Sequence, residues 1–145
     1  MPRNAARVLV VDDNEGHRKL LSAILTSQGL DVDFAVNGAQ AVVVAKAVAF
    51  DLILMDFNMP LMDGMTAAKL IRDGEETTGR PPAKLYIVTS CDTAADRKCA
   101  RQAGADGYIT KPVNFSQIVA LANNARSPGQ EPLRVHRPIR DPTCT

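Results

Sequence analysis

Asp12, Asp13, Asp56, Thr89 and Lys111 are the residues of this 145-residue chain whose types could do chemistry together. Each sits at or just after the end of an apolar run, in "VLVVDD", "LILMD", "LYIVTS" and "GYITKP". Three carboxylates gathered into one small site repel strongly. Two full charges about 5 Å apart at an effective dielectric near 20 cost roughly 3 kcal/mol. Such a cluster needs a cation, or one acid must keep its proton. All-oxygen donors with places left for water suit Mg2+ better than Zn2+, which prefers His and Cys. A hydroxyl at Thr89 and an ammonium at Lys111 suit an anion. A cation facing two anion-binding groups across a carboxylate makes a phosphoryl-transfer site, in which positioning and charge neutralisation do most of the catalysis. Asp56 would be its nucleophile, taking phosphoryl as an aspartyl phosphate.

To converge, these residues must share one edge of one sheet, and the periodicity predicts such a sheet. Strands are expected at Arg7–Asp12, Val32–Val36, Asp51–Met55, Lys84–Ser90 and Asp106–Thr110. The first and third are apolar at consecutive positions, the pattern of strands covered on both faces. Between them the pattern turns helical. Asn14 caps a first helix with Leu20, Leu21, Ile24 and Leu25 as its apolar stripe, and Gly29 stops it. Further helices are expected over Ala39–Val48, from Met65 to about Asp73, from a capping box at Thr93 and Asp96 to Gly104, and over Ser116–Arg126. Gly74–Ala83, "GEETTGRPPA", reads as a polar surface loop. Strands alternating with helices imply βα units with right-handed crossovers. The expected fold is α/β, a flavodoxin-like (βα)5 doubly wound parallel sheet of order 2-1-3-4-5, whose strand C-termini form the ligand-binding edge.

Composition narrows the class. The length suits a single domain with a proper core, expected over residues 1–126. Residues 127–145, rich in proline and poor in apolar side chains, read as a mobile C-terminal tail. A net charge of +1, evenly distributed, offers no basic field for direct nucleic-acid binding. No apolar run approaches the roughly 18 residues of a bilayer span, and none at the N-terminus resembles a signal peptide. The chain is therefore expected in the cytoplasm, without membrane contact. Cys91, Cys99 and Cys144 lack metal-ligand spacing and fit reduced thiols there.

Taken together, Asp12-Asp13, Asp56 within "LILMDFNMPLMDG", Thr89 and "GYITKP" resemble the receiver domain of two-component response regulators, over roughly residues 6–126; the stand-alone type is expected, with a phosphorelay intermediate or a receiver cut from a hybrid kinase as the alternatives. The resemblance implies that Asp56 accepts phosphoryl from a phosphohistidine on a histidine kinase or histidine phosphotransfer protein. It implies Mg2+ held by Asp13, Asp56 and the backbone carbonyl of Asn58, with Asp12 acting mainly through water. Thr89 and Lys111 would each engage a phosphoryl oxygen, and the bond before Pro112 is usually cis in this family. Tyr108 matches an aromatic switch position that reports phosphorylation to a protein-binding face of the fourth helix, fifth strand and fifth helix. The downstream target is unknown. Such a domain is a switch, not an enzyme with an external substrate. Ser90 departs from the usual alanine, and Cys91 and Asn58 stand where side chains adjust water access to the phosphoryl group.

Other readings meet specific obstacles. A haloacid-dehalogenase-like phosphatase or phosphotransferase also uses a strand-end Asp and Mg2+, but wants a second acid where Asn58 stands. A dinucleotide-binding turn needs more glycine than "DDNEGH" contains. His17 reads as a surface residue, and Asp63-Gly64 as the end of a loop and the start of a helix, without chemistry.

Overall fold

The computed structural model describes residues 6–57, 62–79, 81–90, 93–111 and 113–125. Its strands are β1 Arg7–Val11, β2 Asp31–Ala35, β3 Leu52–Asp56, β4 Lys84–Thr89 and β5 Gly107–Thr110. They form one parallel sheet in the order β2-β1-β3-β4-β5. The helices are α1 Glu15–Ser27, α2 Gly38–Ala47, α3 Gly64–Thr78, α4 Ala94–Gln102 and α5 Phe115–Ala125. The expected flavodoxin-like topology is the observed one.

Side-chain alternation along the central strands explains why they are apolar throughout. Leu9 and Val11 of β1 join Ile53, Met55, Leu85 and Ile87 in a core closed by α2, α3 and α4. Val8 and Val10 join Leu52, Leu54 and Val88 in the opposite core, closed by Leu25 of α1 and by Ile118 and Ala122 of α5. Edge strand β2 is less covered, and Phe34 remains 42% exposed.

Helix starts follow local chemistry. The side chains of Asn14, Asn37, Asp63 and Thr93 accept the backbone N–H three residues on, from His17, Gln40, Thr66 and Asp96 respectively. Gly29, at φ +83°, lies just past the end of α1 in the left-handed region that glycine tolerates.

Four expectations need correction. The loop expected over Gly74–Ala83 is helical as far as Thr78, so α3 runs well beyond Asp73. Glu75 accounts for the extension, because its carboxylate accepts from Arg72 Nη1 and, across the turn, from Ala83 N. Arg72 also donates to the carbonyls of Ala83 and Gly104 and to Asp106, tying the end of α3 to the β4 and β5 entries. Gly79, at φ +73°, then ends the helix. Leu20, placed on the buried stripe of α1, is instead 51% exposed. The strand expected over Arg7–Asp12 ends at Val11, and the one expected over Asp51–Met55 ends a residue later, at Asp56. Asp12 still extends the pairing of β1 and β2, donating its N–H to Ala35 O at 3.1 Å.

Candidate functional site

Strand register brings the acids together. Val11 pairs with Met55, so the next residues along, Asp12 and Asp56, lie side by side on neighbouring strands. Asp56 pairs with Val88, which puts Thr89 one step beyond it, and Thr89 pairs with Thr110, the residue before Lys111. Lys111 N donates to Thr89 O at 2.8 Å and carries this pairing past the end of β5. The site is thus a consequence of four neighbouring strands, β1, β3, β4 and β5, ending nearly level.

Asp12, Asp13 and Asp56 each offer a carboxylate oxygen within 4.8 Å of the others. Asp12 and Asp56 are 6% and 7% exposed, whereas Asp13 stands at the solvent rim. Lys111 Nζ approaches Asp56 Oδ1 at 3.4 Å and Thr89 is buried beside them in sequence register. Burial, and next the negative charge of Asp12, push the Asp56 carboxyl up from 3.8 to about 6, although Lys111 pulls the other way. A cluster of three hard oxygen donors, offset by a single ammonium, has the chemistry of a divalent oxygen-seeking cation site, and Mg2+ fits it. Tyr108 lies on β5, partly buried, with the Arg97 guanidinium of α4 5.3 Å from its ring centroid. Asn58, Cys91 and Pro112 lie outside the described residues.

Three neighbours of the acids carry no role in the sequence reading. His17, read as a surface residue, has Nδ1 3.2 Å from Asp12 Oδ2. Arg18 Nη1 donates to the Asp12 carbonyl at 2.9 Å. Gly64 opens α3 directly against β3: a Cβ there would collide with the Asp56 carbonyl oxygen and lie 3.2 Å from Met55 Cγ and Phe57 Cα. The signal for His17 and Arg18 was their place on the first turn after the Asn14 cap. The signal for Gly64 was the Asp-Gly pair itself, legible as a turn but not as a close approach.

Fold and site together define an α/β protein of the flavodoxin-like class with an acidic strand-end pocket. The chain belongs to the response regulator receiver domain family, whose sequence model matches residues 8–123. It is a receiver domain of two-component signalling, and receiver domains bind Mg2+ through an acidic pocket of this kind. It is 35% identical over 141 residues to the sensor protein GacS of Pseudomonas syringae pv. syringae, covering 91% of this chain but only 16% of that relative's length. Among solved structures, it resembles the receiver domain of the Saccharomyces cerevisiae response regulator Ssk1, crystallised with the histidine phosphotransfer protein Ypd1. That match has a TM-score of 0.78 at 30% identity and covers 83% of this chain and 88% of the other. A response regulator from Burkholderia pseudomallei, solved with a phosphorylated aspartic acid, calcium ion and citrate, matches with a TM-score of 0.72 at 29% identity, covering 86% and 71%. Among the described residues, no helix is long and apolar enough to cross a membrane.

Proposed function

We propose that this domain is a phosphorylation switch in which Asp56 accepts phosphoryl from a phosphohistidine on a histidine kinase or histidine phosphotransfer protein. The observation that carries the reading is the meeting of three carboxylates within 4.8 Å with the Lys111 ammonium 3.4 Å from Asp56 Oδ1. A carboxylate so placed serves as nucleophile. Its oxygen bonds to phosphorus as the N–P bond of the donor breaks, and the imidazole leaves with the electron pair and takes up a proton. Asp12, Asp13, Asp56 and the Asn58 carbonyl would hold Mg2+, which when bound supplies positive charge against the acids and the transferred oxygens. The Lys111 ammonium neutralises a further phosphoryl oxygen and the Thr89 hydroxyl donates to another.

Phosphorylation then biases two surface states, and Tyr108 on β5 reports the change to the α4–β5–α5 face. Residues 1–126 form the switching unit, and the domain acts in the cytoplasm on no external substrate; residues 127–145, expected from the sequence as a tail, lie outside the described residues. The Ypd1–Ssk1 complex and the phosphorylated Burkholderia regulator support the donor class and the acceptor chemistry by similarity.

Incubation with Mg2+ and a small-molecule phosphodonor, followed by intact-mass measurement, tests the proposal. Wild-type protein should gain one phosphoryl group and Asp56→Ala none. An unmodified wild type, or an adduct retained by the variant, defeats it.

A further inference from the structure

We infer that His17 is a positioning residue for the metal centre, holding the Asp12 carboxylate in the orientation that Mg2+ requires; the inference rests on the magnesium reading above. Asp12 is fixed at three atoms by the start of α1. Its Oδ1 accepts from Asn14 N at 2.9 Å, its Oδ2 lies 3.2 Å from His17 Nδ1, and its carbonyl accepts from Arg18 Nη1 at 2.9 Å. The ring is delivered by the helix cap, because His17 N donates to Asn14 Oδ1 at 3.0 Å and so sets the first turn.

The side chain of His17 is 50% exposed, so it makes little core contact, while the carboxylate it reaches is 9% exposed. A carboxylate oxygen only accepts, so this contact assigns the ring proton to Nδ1, which donates to Oδ2. With one fixed partner on each oxygen, Asp12 keeps about two of its roughly four lone-pair sites for the ion or its waters. A carboxylate already held in place loses less freedom when the ion binds, and outer partners of this kind typically carry about 10- to 100-fold in metal affinity. Charge works the other way, since an imidazolium beside Asp12 would compete with Mg2+. The two roles therefore predict opposite signs on removal of the ring.

The experiment is calorimetric Mg2+ titration of metal-stripped wild type, His17→Ala and His17→Gln, at one pH and ionic strength, with thermal melts in chelator alongside. Gln supplies an uncharged donor of similar reach. The expected result is about tenfold weaker binding for His17→Ala, recovery of most of that loss by His17→Gln, and coincident metal-free melts. Unchanged or tighter binding in His17→Ala overturns the inference, as does a Gln variant as weak as Ala. Absence of Mg2+ binding by the wild type overturns the magnesium reading itself and is distinguishable from all three.

Discussion

Asp56 is held between opposing forces: burial and the Asp12 charge raise its carboxyl to about 6, and Lys111 restrains the rise. The folded protein therefore binds this proton more tightly than the unfolded chain does. Between 3.8 and about 6 the native state carries the extra proton, so folding stability falls as pH rises through that window. The penalty is complete above it. Asp56→Asn removes the charge and should stabilise the metal-free protein at pH 7 by about 1–2 kcal/mol, less than the roughly 3 kcal/mol of the whole shift because relaxation and water penetration relieve part of the burial cost. Urea denaturation at pH 7 and at about pH 3 checks this. An equal gain at both pH values would assign the effect to packing. The same site shows how far residue types alone carry. Asp12, Asp13, Asp56, Thr89 and Lys111 stand out because acids and a lysine end apolar runs, whereas His17 and Arg18 look like ordinary surface residues until their atoms are seen on Asp12.

At the scale of elements, α3 both shapes the site and shows the limit of local pattern. Its first residue, Gly64, packs where a Cβ would meet the Asp56 carbonyl oxygen, and a backbone oxygen cannot swing aside as a flexible side chain would. Gly64→Ala should cost about 1–3 kcal/mol and displace Asp56, so the variant should lose stability and phosphoryl acceptance together. Thermal melts and intact-mass phosphorylation measure the two effects, and full acceptance in a stable variant would show that the β3–α3 junction tolerates the methyl. The far end of α3 was illegible for another reason. "GEETTGRPPA" has the composition of a loop, and its first turns are helical because Glu75 bonds to Ala83 N and Arg72 reaches Gly104 and Asp106. Arg72 and its partners on the β5 entry are more than thirty positions apart, beyond any window of periodicity. Caps fared better: Asn14 and Thr93 act within three residues, and both lie where the sequence placed them.

For the whole molecule, folding and metal binding are linked. An ion that binds only the native acids stabilises the fold by about 2.7 kcal/mol at a concentration of 100 times its dissociation constant. Melting temperature should therefore rise with Mg2+, return to its starting value with chelator, and lose this response in Asp13→Asn. Identical melts with and without Mg2+ would argue against a native-state cation site. The amino-acid sequence determined the α/β alternation, the burial of β1 and β3 on both faces, and the identity of the acids at the strand ends. Those properties depend on side-chain type and on spacings of a few residues. Tertiary structure decided that Leu20 faces outward, that β2 leaves Phe34 exposed at the sheet edge, and that α3 continues to Thr78. It also decided the separations of the carboxylate oxygens and the approach of Lys111 and His17 to them. These follow from strand register and from hydrogen bonds between distant segments, which exist only when the chain has closed on itself.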